Sequence, residues 1–226
     1  MSEKQTIAVI GGTGAEGGSL ALRLCNAGYS VVIGSREPAK AERAATEINR
    51  RLGIARASGE ALVEAAGLGQ IILLTVPYGA QHETAIQLAA QLAGKILIDA
   101  TVPLAPPTVD RVQLPDGGSA VANLQAELGD AVRVVAAFQN VSSHHLRVLD
   151  QKVDCDVLVC GDDDAACDAV IELAGAIGLR GIYAGPICNA AAAEALTSLL
   201  IVINRRYKVR GSGVRITGVE LPTVVG

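Results

Sequence analysis

The stretch Thr6–Leu24, TIAVIGGTGAEGGSLALRL, constrains the fold more than any other part of the chain. An apolar run of strand length meets a glycine-rich turn, and a run with helical spacing follows at once. Gly12, Gly14 and Gly17 stand in G-x-G-x-x-G spacing. In a strand–turn–helix context that spacing marks a dinucleotide site. Gly12 is expected to permit the sharp turn, Gly14 to let the main chain approach a pyrophosphate at the helix N-terminus, and Gly17 to let the helix lie close on the sheet. The plain alternative is a glycine turn with no ligand.

The same alternation continues along the chain. Strands are expected at 6–11, 30–34, 70–77, 95–103, 132–138, 156–161 and 180–185, with a weaker one at 54–57. Helices are expected at 14–28, 38–52, 59–66, 79–93, 119–128, 163–177 and 189–205. Continuous apolar strands separated by helices predict an α/β fold: a Rossmann-type, doubly wound, mostly parallel sheet covered on both faces. Residues 1–138 read as the nucleotide-binding domain and residues 139–226 as a small, tightly packed C-terminal lobe. The proline-rich stretch 104–118, with its PDGG, reads as a loop near the active site.

Half the residues are apolar but only 2 % are aromatic, so the core must be built from Ala, Val, Ile and Leu. Few rings argue against single-stranded nucleic-acid binding, and a net charge of −4 leaves no global basic footprint for DNA or RNA. Cys25, Cys155, Cys160, Cys167 and Cys188 form no C-x-x-C pair and read as buried free thiols of a reducing compartment. The start of the chain shows no signal-peptide pattern, which points to the cytoplasm. The apolar stretch 188–204 is too short and too polar for a membrane span and reads as a buried helix. It could also close a homodimer interface.

The second strand ends on Ser35-Arg36, with Lys40 in the first turn of the next helix. An NAD site usually carries an acidic residue there. A hydroxyl and two cations suit a 2′-phosphate instead, which favours NADP over NAD; the plain alternative is a solvated SRE helix start. Thr75-Val76-Pro77 and Thr101-Val102-Pro103 end the third and fourth core strands and should line the same crevice.

No tyrosine is followed by Lys four residues later, and no lysine lies between Lys152 and Lys208. The usual proton donors of alcohol and ketone reductases are therefore missing. Hydride transfer between two redox cofactors needs only proximity and orientation. His144-His145 has no neighbouring ligand spacing that completes a metal site, so no metal is expected; loop packing or substrate contact remain. Asp162-Asp163-Asp164 reads as a helix cap, and Asn189 as a cap of the next helix. The basic run 205–215 reads as solvated surface or as a contact for an anionic ligand tail or a partner.

These residues resemble the coenzyme F420-dependent NADP reductases. IGGTGAEGGSLALRL, VVIGSREPAKAE, ILLTVP, DVLVCGDDDAA and AGPICNAAAAEALTSLLIVIN carry the resemblance, in order, over nearly the whole chain. It implies an oxidoreductase that passes hydride reversibly between nicotinamide C4 and deazaflavin C5, with NADP and coenzyme F420 as its small-molecule partners and no catalytic acid or base. It implies that Thr13, Gly14, Ala15 and Glu16 contact the pyrophosphate, and that Ser35, Arg36 and Lys40 hold the 2′-phosphate. Val76, Pro77, Val102 and Pro103 would flank ribose and nicotinamide. Gln139, Asn140 and Val141, with Pro186, Asn189 and Thr197, would form the deazaflavin pocket; Gln139 and Val141 would neighbour the reacting rings. Some members carry His-Thr-Ile-Pro where this chain carries Gln139-Asn140-Val141-Ser142. Two other readings compete: an NADPH-dependent reductase of a flavin, ferric chelate or imine, and a non-catalytic NADP-sensing module.

Overall fold

A computed structural model describes residues 4–219. The first β-α-β unit runs through β1 (Ile7–Ile10), α1 (Ala15–Asn26) and β2 (Val31–Ser35), and α2 (Pro38–Leu52) leads to β3 (Ala57–Ala61). After α3 (Leu62–Leu68) come β4 (Ile71–Leu74), α4 (Tyr78–Gln87), α5 (Ala89–Leu92) and β5 (Ile96–Asp99). The loop 104–118 precedes α6 (Ala120–Leu128), β6 (Arg133–Ala136) and the short α7 (Ser143–Leu146). The chain closes with β7 (Asp156–Gly161), α8 (Asp164–Ala176), β8 (Arg180–Tyr183) and α9 (Ala190–Tyr207).

The strands form one sheet in the order β3-β2-β1-β4-β5-β6-β7-β8. Every pair is parallel except β6 with β7. The fold is the expected Rossmann-type α/β sheet, and β7 and β8 extend it beyond residue 138. Both faces are covered, which is why the strands carry no apolar–polar alternation. Ile7, Val9, Val31, Ile33, Leu73 and Ile98 pack with Leu20, Leu24, Ala45 and Ile48 on one face. Ala8, Ile10, Ile72, Leu74 and Leu97 pack with Leu62, Ala65, Leu88 and Leu124 on the other. Each fully buried Ile or Leu contributes roughly 1.5–3 kcal/mol relative to an exposed one.

Several boundaries differ from expectation. The weak strand lies at 57–61, not 54–57, and its helix at 62–68, not 59–66. ASGEA has no apolar signature; its entry is set by Asn49, whose Oδ1 accepts from the Arg56 and Ala57 N–H groups while its Nδ2 donates to the Ala57 carbonyl. The helix expected at 79–93 breaks at Leu88 into α4 and α5. The helix α9, expected to be buried, is buried on one side only: Leu199, Val202, Ile203 and Tyr207 are exposed. Four of the five thiols are buried, but Cys188 is exposed. Burial pushes Cys25 up to about 12 and Cys155, Cys160 and Cys167 up to about 11, so these four are poor nucleophiles.

Buried Arg23 ties α1 to the later part of the chain. Its guanidinium donates to the carbonyls of Leu146 (2.8 Å), Val148 (2.8 Å), Ile177 (3.0 Å), His145 (3.1 Å) and Gln151 (3.3 Å). One cation thus satisfies carbonyls around the end of α7 and after α8. The segment it holds begins at Ser142 and Ser143, which reach the main cavity.

Candidate functional site

Strand order reverses between β1 and β4: β2 and β3 lie on one side of β1, and β4 to β6 on the other. A crevice at such a switch point opens beyond the carboxyl ends of the strands. Here it forms a cavity of about 660 Å³. The Ile10 carbonyl at the end of β1 accepts from both the N–H and the Oγ1 of Thr75, each at 2.9 Å, which fixes the floor.

The glycine turn is drawn differently from the sequence reading. The positive φ of 85° belongs to Gly11, where a Cβ would lie 2.9 Å from the Thr75 carbonyl oxygen, so Gly11 rather than Gly12 supplies the sharp turn. Gly17 has the packing role expected of it: a Cβ there would meet Thr75 Oγ1 at 2.2 Å. Gly12 is buried behind the turn and does not reach the cavity. Gly14 caps the N-terminus of α1 without any side-chain cap, so the first-turn N–H groups stay available to a ligand.

Thr13, Gly14, Ala15, Glu16, Ser35, Arg36, Lys40, Thr75, Val76 and Pro77 all line this cavity. Val102, Gln139, Asn140, Val141 and Thr197 join them from the other side. Pro103, Pro186 and Asn189 do not line it. Asn189 Nδ2 donates to the Ala184 carbonyl, and its side chain does not cap α9. Asp163 does cap α8, accepting from the Ala166 N–H at 2.7 Å, while Asp162 accepts from the Ile187 N–H. Neither histidine of the 144–145 pair lines the cavity; His145 Nε2 bonds the Gly211 carbonyl at 2.6 Å. In the basic run, Arg205 pairs with Asp110 and Arg215 with Asp154.

The two ends of the crevice differ in chemistry. At the β2 end, Arg36, Glu37 and Lys40 are exposed. The Lys40 ammonium bonds the Glu37 carboxylate and holds it below the usual carboxylate range. Glu37 was not singled out in the sequence, although it stands beside the cations.

The opposite end is buried. Asp99, fully buried at the end of β5, accepts from Gln81 Nε2 (2.5 Å) and the Thr101 N–H (2.8 Å), and burial raises its pKa. Gln139 Nε2 donates to the Asp99 carbonyl (2.8 Å), and Thr197 Oγ1 donates to the Gln139 carbonyl (2.7 Å). Phe138, the chain's sole Phe, turns the main chain there with φ 76°, rare for a side-chain-bearing residue. Gln139 Oε1, Thr101 Oγ1 and Glu16 Oε1 are buried without a hydrogen-bond partner, and all three residues line this cavity. An unpartnered buried polar atom costs about 1–3 kcal/mol, so their gathering in one cavity is the mark of a polar ligand. Glu16, Thr101, Gln139 and Thr197 were singled out in the sequence one by one, but Gln81 and Asp99 were not, nor was the network that joins Gln81, Asp99, Gln139 and Thr197. The available signal was an Asp closing the apolar strand KILID.

The residues present fit an NADP-sized ligand: uncapped helix N–H groups at Ala15 and Glu16, exposed cations at one end, and preset polar atoms at the other. The family model of coenzyme F420-dependent NADP oxidoreductases matches residues 6–103. The F420-dependent NADP reductase of Methanocaldococcus jannaschii is 43 % identical over 223 residues, covering 95 % of this chain and 99 % of the relative. That of Methanothermobacter thermautotrophicus is 40 % identical over 218 residues, covering 93 % and 94 %. A crystal structure from Arthrobacter sp. FB24, provisionally described as an F420-dependent NADP reductase, superposes with a TM-score of 0.79 at 25 % identity, over 95 % of this chain and 100 % of that one. The chain belongs to the coenzyme F420-dependent NADP reductases.

Proposed function

We propose that this protein is an oxidoreductase that carries hydride reversibly between NADP(H) and coenzyme F420 in the cytoplasm, with those small molecules as its partners. The observation that carries the reading is the crevice itself: exposed cations end it on one side, and a preset, buried polar wall ends it on the other. Bound there, the nicotinamide and the deazaflavin supply the chemistry, hydride moving between C4 of one and C5 of the other.

The protein binds, orients and excludes water. Ser35, Arg36 and Lys40 hold the 2′-phosphate, and the N–H groups of Ala15 and Glu16, at the helix start that Gly14 leaves uncapped, hold the pyrophosphate. Thr75, Val76, Pro77 and Val102 flank ribose and nicotinamide. Gln139, Asn140, Val141 and Thr197, from the chain beyond Phe138, complete the deazaflavin pocket. Leu200, Ile201 and Asn204 of α9 extend that wall. No side chain moves a proton in this scheme, since hydride exchange is served by proximity and orientation. Adding reduced F420 and NADP to the protein should produce NADPH, with NAD a much poorer acceptor. Equal rates with NAD would overturn the cofactor assignment, and NADP binding without turnover would favour a sensing module.

The exposed stripe Leu199, Val202, Ile203 and Tyr207 supports a second copy of this chain as partner across α9. Sedimentation should give a dimer, and Val202→Asp a monomer.

A further inference from the structure

We propose that Glu16 meets the NADP pyrophosphate as a neutral acid, so that in alkaline solution, where the free carboxyl is ionised, capture of the nucleotide takes up one proton at this group. The inference rests on the reading of the crevice as an NADP site. Glu16 stands in the first turn of α1, two residues after Gly14, and lines the same cavity. A carboxylate in a first turn is ordinarily favoured as the anion, because the free N–H groups there attract negative charge. Here its Oε1 is buried and accepts no hydrogen bond. Among the described residues it also forms no salt bridge.

None of the charged groups on the elements packed around Glu16 forms a salt bridge with it. From the end of α7, Arg147 Nε donates to Ser19 Oγ at 3.2 Å; this guanidinium pulls the carboxyl downward, against the larger effect of burial. His145 is held by the Gly211 carbonyl, and His144 is exposed. From α2, Arg51 bonds the Arg147 carbonyl and Glu47 pairs with Arg50. Across the crevice, Lys40 is taken by Glu37, and Arg36 is exposed. Burial therefore dominates and raises the Glu16 carboxyl from an ordinary 4.5 to about 8.

A pyrophosphate arriving at the same helix end brings negative charge beside this group. An ionised carboxylate would repel it and would compete for the helix N–H groups. The neutral acid does neither, and its O–H can donate to a phosphate oxygen. Binding and protonation are then coupled, and the coupling acts equally in both directions. The balance is simple: enzyme carboxylate, a solvent proton and NADP give the complex with the carboxylic acid, and no bond other than O–H forms.

The test is calorimetric titration with NADP at pH 6.5 and pH 9, each in two buffers of different ionisation enthalpy. Ionisation of the ligand's own 2′-phosphate, near pH 6, makes no contribution at pH 9. The wild type should take up close to one proton at pH 9, and its apparent Kd should rise about tenfold per pH unit above the carboxyl's own value. Glu16→Gln should take up none and should bind more tightly than wild type at pH 9. Binding without proton uptake in the wild type, or uptake retained in Glu16→Gln, overturns the inference alone. No NADP binding at either pH overturns the NADP reading and this inference with it.

Discussion

The two ends of the crevice reach the same ligand by opposite means. The β2 end presents charge on the surface: Arg36 and Lys40 are exposed, and Lys40 is held by Glu37 until something displaces it. The β5–β6 end presents polarity in the interior: Asp99, Thr101, Gln139 and Asn140 are buried, and their geometry is set by neighbours before any ligand arrives. Charge at a surface attracts and selects, but water screens it. Fixed dipoles in a dry wall bind weakly by themselves yet hold two rings in one orientation. The first end should therefore govern which nucleotide binds, and the second how fast hydride moves.

The sharpest way to break this comparison is to remove the support of the buried end. Phe138 is 2 % exposed and carries the turn that aims Gln139. Phe138→Ala should cost about 3–5 kcal/mol of stability, by leaving a cavity without relieving the positive φ. Denaturant unfolding measures it. A variant that keeps full stability would show that the buried wall is not preset.

The exposed end responds next. Arg36→Ala should lose about 1.5–3 kcal/mol of binding, which raises the KM for NADP by roughly ten- to 150-fold and leaves kcat nearly unchanged. The KM for NAD should hardly move. A fall in kcat of the same size would place Arg36 at the chemistry and erase the division of labour.

The smallest effect lies beside it. Glu37→Gln frees Lys40 from its partner and should tighten NADP binding only slightly, since a solvent-exposed ion pair is weak. Weaker binding would mean that Glu37 positions Lys40 for the phosphate instead of competing for it.

The same contrast decides what could be read in the sequence. The exposed end was legible because its residues are contiguous in the chain and of a type that surfaces seldom gather by accident: Ser35-Arg36 after an apolar strand, and Lys40 one helical turn on. The parallel sheet was legible because burial on both faces removes alternation from its strands. The edge strand 57–61 was not, since its boundary is set by the amide of Asn49, a contact made eight residues away. The buried end was not legible as a unit for the same reason. Gln81, Asp99, Gln139 and Thr197 lie far apart in sequence and meet only when β5, β6, α4 and α9 are in place. Glu16 was visible as a neighbour of the pyrophosphate, but its burial depends on the segment that Arg23 draws across α1.

The central claim is that two cofactors meet between these ends and exchange hydride directly, with no protein acid or base between them. NADPH carrying deuterium at the transferred C4 position tests it, mixed with the protein and oxidised F420 in ordinary water. The account predicts that the deuterium appears at C5 of the reduced deazaflavin without dilution by solvent hydrogen. Loss of the label to water, or an unchanged deazaflavin in the presence of bound NADPH, would contradict it.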